Sequence, residues 1–176
     1  MPMCIYWGED DFAMEKAVAI LRDRILDPLW ISFNYTSLSP DQPDAVITGL
    51  NEAMTPAFGA GSRLVWLINT TLCQHCPENV LAELTRTLSV IPENSWLLLT
   101  TRNKPDERLK STKLLKKSAT EFREFPLIPP WKTELLVKSV NQVAQTVGVK
   151  LTSRTAEILA EAVGNDTRLL YNEMEK

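Results

Sequence analysis

The stretch "IYWGEDDFAMEKAV", residues 5–18, decides the fold class because it joins a short apolar strand to an amphipathic helix. In α/β proteins that bind nucleotides, the turn between such elements is a phosphate loop, G-x-x-x-x-G-K-[ST]. Here Gly8 is followed by three acidic residues, with no second glycine and no Gly-Lys-Thr. The sequence therefore predicts a nucleotide-binding architecture with acid in the place of the phosphate loop.

This acidic turn argues against a bound triphosphate. One pair of like charges about 4 Å apart costs about 4 kcal/mol at an effective dielectric constant of about 20. Lys16 lies a full helical turn or more too far along the chain to neutralise the phosphates. Acidic side chains do suit a helix N-terminus, where they interact favourably with the helix dipole. We therefore interpret Gly8, Glu9, Asp10 and Asp11 as a degenerate nucleotide site and expect no cofactor.

Outward from this turn, short apolar runs alternate with helical patterns. Strands are predicted at residues 3–7, 29–35, 63–68, 96–101 and 121–125, and helices at 11–26, 43–54, 77–90 and 109–117. The second strand, "LWISFNY", is rich in aromatic and β-branched residues. The second helix begins at Pro43-Asp44, a pair typical of a first turn. Strands that alternate with helices predict an α/β fold: a parallel sheet with helices on both faces and a short edge strand at its end.

A proline-rich linker, "FPLIPPW", ends the alternation at residues 125–131. Only helical patterns follow it, at residues 131–147, 153–163 and 165–176. Glycine follows the first two of these helices, as is common at helix ends. The sequence predicts an α/β domain over residues 1–128 and a small helical domain over residues 129–176. Because the last pattern is still helical where the chain ends, we expect a fragment of a longer protein.

Composition narrows the classes of function. The chain has 176 residues, of which 44% are hydrophobic and 23% charged, as in ordinary soluble domains. A net charge of −3 does not favour binding of nucleic acid by bulk electrostatics. We find no secretory signal and no apolar run of roughly 18 residues, so no membrane partner is expected. Three cysteines, an odd number, favour a reducing cytoplasm over a disulfide framework.

The motif "CQHCP", with Cys73, His75 and Cys76, looks like half of a zinc site. Zinc takes four ligands, and the only other cysteine, Cys4, lies in the first predicted strand. A chance match is the favoured interpretation, and we expect no metal. The same Cys-x-x-Cys could form a redox pair, although its context is not thioredoxin-like. With one histidine in the chain and no nucleophile–base pattern, we predict no catalytic residue.

A basic segment, "RNKPDERLKSTKLLKKS", occupies residues 102–118. Lys110, Lys113 and Lys117 share one face of the predicted helix. A solvated face is the commoner meaning of such a stripe. Contact with DNA phosphates stays open, because clustered charge matters more than the net sum. No aromatic residues interleave the lysines, so stacking on bases is not indicated.

Four stretches, taken together and in order, resemble the delta subunit of the bacterial DNA polymerase III clamp loader. They are "IYWGEDDFAMEKAV", "FGAGSRLVWLINT", "SWLLLTTRNKPDERLKSTKLLKK" and "LAEAVGNDTRLLYNEMEK". The resemblance implies an AAA+-like domain without a functional phosphate loop, then a helical lid domain; the family's third domain, the collar, is absent from this chain. It also implies a role in DNA replication, in which the subunit binds the ring-shaped sliding clamp and promotes its opening without hydrolysing ATP.

The same resemblance implies the partners. These are the sliding clamp, the other clamp-loader subunits through the collar, and primed DNA only within the complex. The chain would not be an enzyme by itself, although a subunit of DNA polymerase III can carry the holoenzyme's DNA-directed DNA polymerase designation. Arg168, within "GNDTR", occupies the place of the AAA+ sensor-2 arginine. Without a nucleotide to sense, we expect it to make an ion pair or a hydrogen bond at a helix N-terminus.

The clamp-binding element of the family is a short apolar protrusion between a helix and the central strand. The matching stretch here is "EAMTPAFGAGSRLVWL", residues 52–67. The resemblance thus implies clamp binding by Met54, Pro56, Ala57 and Phe58. The family usually has two bulky apolar residues together there, whereas this chain has Ala57-Phe58. The alternative is a phenylalanine that folds back on the sheet edge.

Two other classes of function compete with the clamp-loader interpretation. One is an active AAA+ ATPase of the same fold, against which the acidic turn argues. The other is a small zinc or redox protein that uses Cys73, His75 and Cys76.

Overall fold

The computed structural model describes residues 2–176; Met1, the first residue of the predicted α/β domain, lies outside them. The chain forms two compact units, and the boundary between them falls between Phe125 and Pro126. The first unit is a parallel sheet flanked by helices, and the second is helical. The α/β class predicted from the alternating pattern is therefore confirmed.

The first unit contains ten elements among the described residues. In chain order they are β1 (Met3–Trp7), α1 (Asp11–Ile25), α2 (Ile31–Asn34), β2 (Tyr35–Leu38), α3 (Ala45–Met54), β3 (Arg63–Leu67), α4 (Glu78–Leu88), β4 (Ser95–Thr101), α5 (Lys110–Ser118) and β5 (Glu121–Glu124). All strand pairs are parallel, in the order β2-β3-β4-β1-β5. The predicted edge strand β5 thus lies beside β1, and the carboxyl end of β1 meets those of β4 and β5.

The central strands β1, β3 and β4 are buried on both faces, as their nearly continuous apolar runs predict, whereas the edge strands β2 and β5 are largely half-buried or exposed. Ile5 and Leu99, which are paired across β1 and β4, face one core with α3, α4 and α5. Tyr6 and Leu98 face the opposite core, which α1 covers. Successive residues of a strand point to opposite faces, so one apolar run supplies both cores.

The strand predicted at residues 29–35 is wrong. The chain turns at Asp27, whose carboxylate accepts a hydrogen bond from the Leu29 N–H at 2.9 Å, and then forms the short helix α2. Strand β2 begins only at Tyr35. An aspartate side chain that bonds its own backbone two residues on stabilises a turn. The aromatic and β-branched composition is that of a strand, but these side chains are mostly exposed: Leu29 is 83% and Phe33 59% exposed.

The start of α3 also differs slightly from its prediction. Asp44 adopts a left-handed conformation with φ 53°, so the helix begins at Ala45 rather than at the Pro43-Asp44 pair. The remaining predicted helices and strands of this unit are present, with ends shifted by no more than two residues.

The second unit consists of α6 (Thr133–Val147), α7 (Ser153–Val163) and α8 (Thr167–Glu175) around a small apolar core. Gly148 ends α6 in a left-handed conformation, and the Thr152 side chain caps α7 by accepting the Thr155 N–H at 3.2 Å. The Asn165 amide donates to the Ile128 carbonyl at 3.0 Å, which ties the linker to this unit. Across residues 2–176, no helix has the length and apolar character that crossing a bilayer requires.

Candidate functional site

The β1–α1 turn, residues 8–10, is closed by the protein's own backbone. The Gly8 N–H donates to the Thr101 carbonyl and the Asp10 N–H to the Phe125 carbonyl, both at 3.1 Å. Gly8 has φ 138°, and a Cβ at this position would lie 2.1 Å from the Phe125 carbonyl oxygen. A phosphate loop needs free backbone N–H groups that curl around the phosphate. Two of the N–H groups in this turn already donate to carbonyls.

The carboxylates of the turn stabilise α1. The Asp10 side chain accepts the Ala13 N–H at 3.0 Å, as a helix N-cap does, and Asp11 pairs with Arg102 at 3.2 Å. A cavity of about 200 Å³ lies beside this pair, and the Trp66 indole donates to the Thr100 hydroxyl on its wall at 3.0 Å. Ligand pockets usually measure about 300–1,000 Å³, so the volume of this cavity lies below the usual range.

The three cysteines do not converge on a metal site. Cys73 is buried and Cys76 half-buried, and burial raises the pKa of both thiols, while His75 is exposed. Cys4 lies in β1 beside Glu121, and burial raises the pKa of this thiol to about 11. Among residues 2–176, no three His, Cys, Asp or Glu side chains are grouped so that they could hold a metal ion. Raised pKa values also disfavour the thiolate that a redox pair requires.

The four residues of the implied clamp-binding element lie in different environments. Met54, at the end of α3, is partly buried and packs against the core beneath the sheet. Pro56 is exposed and Ala57 is half-buried in the loop of residues 55–62, which we call the presenting loop. Phe58, at its centre, is 55% exposed. The structure therefore turns Met54 towards the core and leaves Phe58 as the large apolar side chain at the surface of this loop.

Phe58 is one member of a cluster of three aromatic rings. Its ring centroid lies 5.2 Å from that of Trp30 and 5.3 Å from that of Phe33, and the latter two are 6.2 Å apart. We call Trp30, Phe33 and Phe58 the aromatic cluster. Sequence patterns do not indicate Trp30 and Phe33 as site residues, because the composition of residues 29–35 is that of a strand. The Asp27-Pro28 pair, a turn signal before this run, could have corrected that interpretation.

The presenting loop is anchored by two polar side chains. The fully buried Asn34 accepts the Phe58 N–H at 2.7 Å and donates to the Phe58 carbonyl at 2.8 Å. Arg63, which is 7% exposed, forms an ion pair with Glu52 at 3.2 Å and donates to the Pro56 carbonyl at 3.4 Å. These contacts pre-organise the loop, which lowers the entropy lost when a partner binds it.

Glycine is required where the presenting loop crosses the aromatic cluster. Gly59 has φ 67°, and a Cβ there would lie 2.5 Å from atoms of the Trp30 ring. The indole therefore packs directly on the loop backbone, and any side chain at this position would push the two apart.

Helix α5 carries a stripe of exposed lysines. Lys110, Lys113 and Lys117 form no ion pair within residues 2–176. The neighbouring charges are paired. Lys116 contacts Glu107 at 2.9 Å, and hydrogen bonds from Arg108 lower the pKa of Asp106 to about 2. In the second unit, Arg168 lies in the first turn of α8, just after the Asp166 N-cap.

Comparison with known proteins places the fold and the family. The five-stranded parallel sheet with its flanking helices is AAA+-like. The family model for the DNA polymerase III delta subunit matches residues 4–125. The chain belongs to this family, so the resemblance found in the sequence is confirmed. No curated protein matches the sequence.

Two solved structures are similar to this chain. The Bacillus subtilis DNA clamp loader delta protein has a TM-score of 0.81 and 22% identity, over 99% of this chain and 52% of that one. A DNA polymerase III gamma subunit-related protein of Thermotoga maritima has a TM-score of 0.50 and 15% identity, over 96% of this chain and 55% of that one. At these identities the likeness shows the fold. The chain spans about half the length of each.

Proposed function

We propose that this protein is a clamp-loader subunit that binds the sliding clamp and promotes its opening without hydrolysing ATP. It acts in the cytoplasm as part of the DNA polymerase III holoenzyme and contacts the other loader subunits through a collar domain. We assign the AAA+-like domain without a functional phosphate loop to residues 1–128 and the lid to residues 129–176, although the compact units divide three residues earlier, between Phe125 and Pro126. Membership of the delta-subunit family is the basis for this assignment.

The observation that carries clamp binding is the exposed Phe58 on an anchored loop. Burying a phenylalanine side chain contributes about 1.5–3 kcal/mol, and Phe58 leaves half of its surface in water. The Phe33 ring, whose centroid lies 5.3 Å from that of Phe58 and which is 59% exposed, extends the same apolar surface. A rigidly held apolar patch of this kind is characteristic of a protein-binding surface. The binding partner is an apolar pocket on the clamp, which receives the Phe58 ring as the anchor. Met54, Pro56 and Ala57 shape the loop around this ring.

The absence of ATP hydrolysis is supported by the β1–α1 turn. Its N–H groups donate to Thr101 and Phe125, and its carboxylates repel phosphate. In this proposal the shape of the ATPase domain serves to position the clamp-binding loop within the complex. Neighbouring subunits supply the hydrolysis.

The lysine stripe of α5 has a second role within the assembled complex. Lys110, Lys113 and Lys117 are exposed and have no acidic partner among the described residues, so they can approach phosphates without breaking an ion pair. The net charge of −3 opposes binding of DNA by the isolated chain. We therefore assign these lysines to primed DNA that the other subunits hold.

Two measurements test the proposed function. A binding isotherm with the cognate sliding clamp should give a saturable complex without nucleotide. Clamp rings assembled on nicked circular DNA should be released by this chain in the absence of ATP. A clamp that neither binds nor is released at micromolar concentrations of the chain would refute the proposal, whereas binding without release would remove only the opening step.

A further inference from the structure

The backbone of Phe58, the residue proposed to bind the clamp, is hydrogen-bonded by the side-chain amide of one buried residue, Asn34. Asn34, at the end of α2, accepts the N–H of Phe58 and donates to its carbonyl, although the two residues are 24 positions apart in sequence. Because the N–H and carbonyl belong to the peptide planes on either side of the Phe58 Cα, this pair of bonds orients both planes. The direction of the Cα–Cβ bond, and so of the ring, follows from them.

Other contacts of the presenting loop do not replace this pair. Arg63 reaches only as far as the Pro56 carbonyl, and the Ser62 N–H donates to the Ile25 carbonyl at the far end of the loop. Within residues 2–176, every hydrogen bond of residues 57–61 is made with the Asn34 side chain, which accepts one and donates the other. The hydrogen bonding at the centre of the loop therefore depends on a single side chain.

We propose that Asn34 is a positioning residue for clamp binding, which rests on the proposed function. It holds the backbone of Phe58 so that the ring projects from the aromatic cluster before the clamp arrives. Without the amide, the centre of the loop samples other conformations. The apparent affinity then falls in proportion to the fraction of molecules that present the ring correctly.

The test compares Asn34→Ala with a matched control, Asn51→Ala, an exposed asparagine of α3. Isotherms with the cognate clamp should show a loss on the order of tenfold for the first variant and none for the second. In a Phe58→Ala background, Asn34→Ala should cause no additional loss, because the amide acts through Phe58. Exchange of the Phe58 amide hydrogen, measured without the clamp, should accelerate in Asn34→Ala but not in the control Asn51→Ala.

Because Asn34 is buried, a second variant leaves it in place. Gly59→Ala puts a Cβ against the Trp30 ring and should displace the presenting loop from outside the core. It should also weaken clamp binding, and again only while Phe58 is present. This variant decides the question if Asn34→Ala does not fold.

The outcomes separate the two proposals. If Phe58→Ala weakens binding but Asn34→Ala and Gly59→Ala bind like the unmodified chain, the positioning role is overturned and the proposed function stands. Losses of affinity that add in full in the double variants also overturn it, because Asn34 would then act independently of the ring. If Phe58→Ala itself binds the clamp normally, the proposed site and the positioning role fall together.

Discussion

Two turns at opposite edges of the sheet both bond their backbone groups within the protein, but only one of them presents a large apolar side chain at the surface. The β1–α1 turn, at the carboxyl edge, donates its N–H groups to neighbouring carbonyls and lies against Phe125. The presenting loop, which precedes β3 at the amino edge, is hydrogen-bonded by the Asn34 side chain and leaves about half of Phe58 exposed to solvent. The first arrangement closes a site where related folds hold nucleotide, and the second presents a side chain.

The comparison shows that glycine is required in both turns, but for a different contact in each. Gly8 permits the backbone to approach Phe125, and Gly59 permits the Trp30 ring to lie on the backbone. In both places a positive φ and a close contact exclude larger residues. The contact of Gly8 with Phe125 closes the turn where a phosphate loop would bind nucleotide. The contact of Gly59 with Trp30 supports the surface that presents Phe58. Four experiments would break or sharpen the comparison, beginning with the largest expected effect.

Gly8→Ala should destabilise the first unit by about 2–4 kcal/mol, through backbone strain and overlap with Phe125. Gly148→Ala is the matched control, because Gly148 also has a positive φ but no atom within 4 Å of its would-be Cβ. The control should lose only about 1–2 kcal/mol. Urea unfolding of both variants measures the difference. Equal destabilisation would mean that the contact with Phe125 does not close the turn.

Phe58→Ala should weaken clamp binding by about 2 kcal/mol or more, as removal of an aromatic anchor does. That corresponds to about thirtyfold in affinity. The free energy of unfolding should change by less than about 1 kcal/mol, because half of the ring is already in water. Ile20→Ala, at an exposed apolar position of α1, should change neither quantity. A variant that loses stability but still binds the clamp normally would assign Phe58 a structural role.

The third experiment concerns the lysine stripe of α5, an exposed surface that belongs to neither turn. Replacing Lys110, Lys113 and Lys117 by glutamine should leave DNA binding of the isolated chain weak and unchanged. In the assembled loader, the slope of log K against log salt should flatten by about 0.9 for each phosphate that is no longer neutralised. Lys132, Lys138 and Lys150, exposed in the second unit, are the control set. Salt-sensitive, lysine-dependent binding by the isolated chain would contradict this assignment.

The smallest expected effect is that of ATP with magnesium on the melting temperature. A ligand at a hundred times its dissociation constant stabilises by about 2.7 kcal/mol, a shift of several degrees in a protein of this size. We expect no shift, because the β1–α1 turn is closed and acidic. A shift of several degrees would favour an active ATPase and would show that the β1–α1 turn is not closed to nucleotide.

Much of the fold was predictable because its signals are local. Buried strands are continuous apolar runs, as at Arg63–Leu67 and Ser95–Thr101, and the prolines of residues 125–131 mark the end of the sheet unit. The prediction for residues 29–35 failed because a buried strand and an exposed aromatic turn have the same composition. The choice between them depended on the Asp27 side chain, which bonds the Leu29 N–H, and on the contact of Asn34 with Phe58, 24 positions along the chain.

By itself, the sequence determined the parallel α/β class, the loss of the phosphate-loop residues and the position of Phe58 between a helix and a strand. These follow from periodicity and from residue types that are neighbours along the chain. Only the tertiary structure decided the strand order, the inward packing of Met54 and the bracing of Phe58 by Asn34. Such contacts join distant segments through side chains that carry no pattern of their own, so they are defined only once the sheet has brought the segments together.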